Sequence, residues 1–154
     1  MPKFLKLIVS ILLCQGAGIL GSFFTVSSIP TWYATLNKPF FNPPNWLFAP
    51  VWTILYALMG IYFYLIWTSN KKEAGKLKRF FLIHLVFNSL WSIVFFGLKS
   101  PLAALFIILI LIFMISYLII KGFKINRYAP YLLMPYLTWV SFATILNAAI
   151  WVLN

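Results

Sequence analysis

The sequence has almost no acid. Its 154 residues include a single Asp or Glu, Glu73, against twelve Lys and Arg, and only one Cys and one His. Glu73 falls in the polar run KKEAGKLKR, so no carboxylate is left for an apolar segment. Paired-carboxylate acid/base chemistry, carboxylate proton relays and carboxylate-rich metal cages are thereby excluded within one chain. Cys14 has no partner for an intrachain disulfide, and one Cys with one His makes no zinc ligand set. No metal and no cofactor is expected. Charge of either sign is scarce, at 8% of residues against 64% hydrophobic, where soluble domains carry about 25% charge. Aromatic rings, 20% of the chain, and a few amides are what remains to work with.

That balance belongs to the lipid bilayer. Apolar runs of about 20 residues, enough to cross a ~30 Å hydrocarbon core as helices, occupy about 7–27, 47–68, 80–98, 101–120 and 129–152. The expected fold is an all-α integral membrane bundle of five transmembrane helices forming one domain over 1–154. The net charge of +11 does not indicate nucleic acid, because the cations lie in short clusters between apolar runs. The N-terminus (Lys3, Lys6), the second connection (Lys71, Lys72, Lys76, Lys78, Arg79) and the fourth (Lys121, Lys124, Arg127) hold ten cations. The other side holds two, Lys38 and Lys99. The positive-inside rule then puts the N-terminus in the cytoplasm and the C-terminus outside. The first run follows two lysines as a signal peptide would, yet it stays apolar to Phe24, and Leu13 before Cys14 is too large for lipoprotein processing. It reads as an uncleaved helix.

Local signals refine this. Ser100 caps and Pro101 starts the fourth helix straight after the third, which makes the two antiparallel neighbours. Pro135 lies about two turns into the fifth helix and deprives the Tyr131 carbonyl of its donor, a break that membranes tolerate beside a cavity or buried in protein. No internal repeat is present, which disfavours an inverted-repeat transporter. Gly16–Gly21 matches GxGxxG, but with no strand before it and no acid after it the small residues signify close helix packing, as in the pairs Gly18/Ser22 and Ala17/Gly21.

Three helices carry aromatic stripes. His84, Asn88, Trp91 and Phe95 share one face of the third; Tyr136, Trp139, Ala143 and Asn147 share one face of the fifth; Trp52, Tyr56 and Met59 repeat the spacing on the second. Asn88 suits either a pocket's polar anchor or an interhelical hydrogen bond. His84, a turn from the basic loop, is expected to reach the interface and not to serve as a ligand. Trp32, Trp46, Trp67 and Trp151 lie near span ends, where indoles favour the interface; Trp52, Trp91 and Trp139 lie deeper, in a dense aromatic core or around a cavity for a flat apolar ligand. Between the first two helices runs TLNKPFFNPPNWLFAP, with Pro39, Pro43, Pro44 and Pro50, several aromatics and one charge, Lys38. It reads as a stiff outer lid whose prolines lower the entropy lost on ordering.

The ordered pattern Trp32-Tyr33-x-x-Leu36-x-Lys38-Pro39, Pro43-Pro44-x-Trp46-x-Phe48-x-Pro50-Val51-Trp52-x-x-Leu55-Tyr56-x-x-Met59-Gly60 resembles the first-loop and second-helix signature of the TspO family. These are the tryptophan-rich sensory proteins, whose mitochondrial members are the translocator protein or peripheral benzodiazepine receptor. Asn88-x-x-Trp91-Ser92-x-x-Phe95-Phe96-Gly97 and Pro135-Tyr136-x-x-Trp139-x-x-Phe142-Ala143-x-x-Leu146-Asn147 are similar to its third- and fifth-helix motifs. The resemblance implies a five-helix bundle with a pocket under the first loop that binds porphyrins such as protoporphyrin IX, often in a homodimer. By motif position it implies pocket contacts from Tyr33, Pro43, Trp52, Tyr56, Asn88, Trp91, Trp139 and Ala143. Phe95 and Asn147 join them from the stripes, and Lys38 is the cation placed to meet a porphyrin carboxylate. It also implies an alternative, light- and oxygen-dependent porphyrin degradation with Trp52 and Trp139 as the reacting indoles. A membrane scaffold regulating a protein partner is a third reading. The sterol-recognition stretch of some members is incomplete here, with Leu146 present but Ala148 and Val152 at its Tyr and Arg positions, which argues against cholesterol. With no basic tail after Asn154, a bacterial plasma-membrane member is expected.

Overall fold

The structure, a computed structural model, describes residues 1–154. It is all helical. Helix α1 (Lys3–Ser28) is followed by the first loop with two single-turn helices (Tyr33–Thr35 and Asn45–Leu47), α2 (Phe48–Trp67) and α3 (Ala74–Ser92). A π-helical turn (Ile93–Gly97) extends α3 before α4 (Pro101–Gly122), the short α5 (Ala129–Leu132) and α6 (Met134–Leu153). Five of the resulting segments are long and apolar enough to cross a membrane, the last formed by α5 and α6 together. At 26 residues α1 is about 39 Å long, more than the hydrocarbon core requires.

The helix ends follow local chemistry. Ser100 Oγ accepts from the Ala103 N–H at the start of α4, with Pro101 in the first turn, as its sequence suggests. Lys99 turns the chain just before it with a positive φ of 54°. α3 begins at Ala74, well before the apolar run, so the basic stretch expected in a connection is largely helical. Hydropathy marks where a helix meets lipid, and a helix continues past that point for as long as its backbone bonds allow.

Packing is tightest between α1 and α2. A Cβ on Gly60 would lie 2.6 Å from the Ile11 Cα, and one on Gly18 would lie 2.4 Å from the Tyr56 ring. The backbones thus approach most closely at Gly60 of α2, while Gly18 of α1 makes room for the Tyr56 ring and Ser89 Oγ from α3 donates to the Ala17 carbonyl at 2.9 Å. α3 packs on α4 and α4 on α6, while α2 packs on α5. The break at Leu133 directs α5 toward α2 and α6 toward α4, so the backbones of α2 and α6 stay apart in the loop-side half. Large side chains and a cavity occupy that gap.

Candidate functional site

The gap is a cavity of about 320 Å³ walled by α1, the start of α2, the end of α3 and α6. Its aromatic lining comprises Tyr33, Phe48, Trp52, Tyr56, Trp91, Phe95, Phe96 and Trp139, with Ala143 and Asn147 from α6. The three stripes seen in the sequence thus converge on one space. Trp52 stacks on Tyr56 (5.5 Å between centroids) and meets Tyr136 edge-on at 6.3 Å. Trp139 is held edge-on by Phe48 at 6.1 Å and tilted against Phe142 at 5.6 Å. Trp91 stacks on Phe95 at 5.2 Å. The Trp91 indole N–H donates to Asn147 Oδ1 at 3.0 Å, and Asn147 Nδ2 in turn donates to the Pro101 carbonyl at 2.8 Å. Of the indoles around the cavity only Trp91 spends its N–H inside the protein; those of Trp52 and Trp139 stay available as donors.

Behind the aromatic wall lies a polar chain. Tyr56 Oη donates to Asn88 Oδ1, and Asn88 Nδ2 donates to Tyr136 Oη at 2.7 Å. That leaves the Tyr136 proton for His84 Nε2, also at 2.7 Å, and the remaining His84 N–H, on Nδ1, faces the Phe81 carbonyl at 3.3 Å. Every group is satisfied, which matters because His84 and Tyr136 are fully buried. The expectation that His84 reaches the interface is overturned: helical phase turns it inward, and Tyr136 supplies the hydroxyl that makes its burial tolerable. Asn88 takes the interhelical role and does not line the cavity. Sequence spacing placed His84 and Tyr136 on the stripes but gave no sign that they bond to each other from different helices.

The first loop closes one end of the cavity. Tyr33 packs on Phe95 and Phe96 and its hydroxyl donates to Asn42 Oδ1 at 2.8 Å. Burial pushes the Tyr33 phenol up to about 12. Asn37 and Asn154 clasp each other through backbone and amide bonds of 3.0 and 2.9 Å, tying the loop to the end of α6. Lys38 and Pro43 are outside the lining. Lys38 Nζ lies 4.9 Å above the Tyr33 ring and donates to the Leu36 carbonyl at 3.2 Å. Pro43 faces a shallower recess on the far side of Trp139. The side of the main cavity between α1 and α2 is edged by residues that remain exposed, Ile19, Ser22, Val26, Ala49 and Thr53 among them. Lower down this side is shut by the Gln15 amide donating to the Thr53 carbonyl at 3.0 Å. The space therefore opens sideways as well as lying beneath the loop.

A family model described as the TspO/MBR family matches residues 10–152. A tryptophan-rich protein TspO of Archaeoglobus fulgidus is 47% identical over 150 residues, covering 97% of each chain. A tryptophan-rich protein TspO of Chlorobaculum tepidum is 42% identical over 156 residues, covering 99% of this chain and 98% of that one. The translocator protein of Homo sapiens is 34% identical over 127 residues, 78% of this chain and 73% of that one.

Proposed function

This chain belongs to the TspO/MBR family of multi-pass membrane proteins, and on that premise we propose that it is a sensor or carrier for porphyrin-like tetrapyrroles, held in the aromatic cavity. The observation that supports this reading is the pairing of indole walls with two free indole donors, Trp52 and Trp139, in one space. A porphyrin is a wide apolar plane with carboxylates on one edge. Ring faces suit its plane, N–H groups suit its polar edge, and the apolar lining removes it from water. At about 320 Å³ the cavity is near the lower end of small-molecule sites, so part of a macrocycle would occupy the open side between α1 and α2. The cation bias supports an orientation with the N-terminus in the cytoplasm and the loop outside, and the likeness to bacterial relatives supports a plasma membrane; reporter fusions at each terminus test that orientation.

The test is a titration of the purified protein with protoporphyrin IX in the dark, read by tryptophan quenching. Saturable quenching that Trp52→Ala weakens supports the reading; linear, unsaturable quenching sinks it. A second reading, light- and oxygen-dependent breakdown of the bound pigment, is favoured by the position of Trp139, whose oxidisable indole lines the cavity. Trp139→Phe keeps an aromatic ring and removes the indole. Unchanged dark binding with lost bleaching under light is the outcome expected if this indole reacts; unchanged bleaching would show that it does not.

A further inference from the structure

At the basic end of the bundle, opposite the loop, side chains from three helices meet at one indole ring. The ammonium of Lys6 (α1) lies 5.4 Å from the ring centroid of Trp67, the last residue of α2, and that of Lys78 (α3) lies 5.7 Å from it. Both lysines are half-buried, whereas Lys3, Lys71, Lys72, Lys76 and Arg79 around them are exposed. No carboxylate serves the pair: the chain's single acid, Glu73, is exposed ahead of α3 and bridges to neither. The half-buried Trp67 also has an unused donor, since its indole N–H makes no hydrogen bond within the protein. Two half-buried lysines around an indole whose N–H is free, with no anion of their own, form an arrangement that an external anion completes.

We propose that Lys6, Trp67 and Lys78 bind the phosphate of an anionic phospholipid headgroup in the leaflet at the basic end. The depth is right, because Trp67 terminates a membrane-crossing helix and so lies where headgroups meet hydrocarbon. A lipid fits better than a free phosphate. Leu82, one turn beyond Lys78 on the same face of α3, is exposed and offers apolar surface for an acyl chain. Basic clusters between helices at this level recognise acidic headgroups. The site is remote from the aromatic cavity, so it stands whether or not the cavity takes a porphyrin.

The full chain, purified in detergent, would be offered dioleoyl phosphatidylglycerol, dioleoyl phosphatidylcholine or inorganic phosphate, with retained lipid read by native mass spectrometry and stability by thermal melting. Phosphatidylglycerol is expected to be retained and to raise the melting temperature; the other two are not. Lys6→Gln/Lys78→Gln should weaken retention about 25-fold, taking about fivefold for each lysine near an anionic surface. Lys3→Gln/Lys72→Gln, which removes the same charge from exposed positions, should leave most of it. Equal loss in both pairs would mean diffuse charge attraction and overturn the site, and equal stabilisation by phosphate alone would overturn the lipid. A second readout needs no lysine variant: phosphatidylglycerol should shift the tryptophan emission of the unaltered chain but not that of Trp67→Phe. A shift that survives Trp67→Phe would overturn the role of the indole.

Discussion

A buried amide joins three helices through two phenols. Asn88 has both halves of its side chain engaged, Oδ1 by Tyr56 and Nδ2 by Tyr136. Replacing it by Leu keeps the volume but leaves the Tyr56 hydroxyl without its acceptor. Interhelical hydrogen bonds in membranes contribute modestly, so Asn88→Leu should cost about 1–2 kcal/mol, seen as a lower melting temperature in detergent. Because Tyr56 carries the stacked Trp52, the same variant should also weaken porphyrin binding without removing a cavity contact. Lys38 behaves differently. It is spent on the Tyr33 ring and the Leu36 carbonyl, both of them weak claims at a partly exposed site, and swinging free to meet a carboxylate costs little. Lys38→Ala should therefore weaken binding of protoporphyrin IX more than that of an uncharged aromatic ligand; equal losses in tryptophan quenching would rule out the carboxylate contact.

Among the elements, two departures from a straight α-helix shape the cavity. The break at Leu133 and Pro135 separates α6 from α2, and it was legible as a proline placed inside an apolar run. The π turn at the end of α3 was not legible. It closes with the Leu98 N–H donating to the Ile93 carbonyl at 2.9 Å and brings Phe95 and Phe96 into the core side by side, 4.8 Å apart. No residue type marks such a turn; the packing of Tyr33 and Trp32 against these rings is what rewards the slipped register. The α1–α2 contact supplies a paired test of packing. Gly60→Ala would force a methyl against the Ile11 backbone and should cost about 1–3 kcal/mol. Gly16→Ala, where nothing lies within 4 Å, should be neutral or slightly stabilising in the same melting assay.

For the whole molecule, the loop is a lid fastened at both edges. Ser28 Oγ donates to the Phe96 carbonyl at 2.8 Å, Tyr33 packs on Phe95 and Phe96, and the Asn37–Asn154 clasp holds the far side. Tyr33 makes this closure pH-sensitive at high pH only. Its phenol ionises near 10 when the loop is released and near 12 when it is packed. The packed state thus favours the protonated form, and its stability is intact below pH 10. It declines as pH rises from 10 toward 12, because the released loop loses its proton first. Ultraviolet phenolate titration, taken as a difference from Tyr33→Phe, should place this ionisation near 12. A value near 10 would mean that the lid is open in solution.

The sequence by itself determined the five spans, the side on which the cations lie, the stripes of Trp52, Trp91 and Trp139, and the family. Each is written in composition, in helical period or in an ordered motif, all of which are local in the chain. Only the tertiary structure decided which stripe residues face the cavity and which bond behind it. It put Asn88 and Tyr136 in the second layer, buried His84, and brought Lys6 and Lys78 to Trp67 from two helices. The physical reason is that helical phase gives each residue a direction but not its opposite number. A buried hydroxyl or amide takes the partner that the crossing of two helices happens to present, and that pairing has no signature along a single chain.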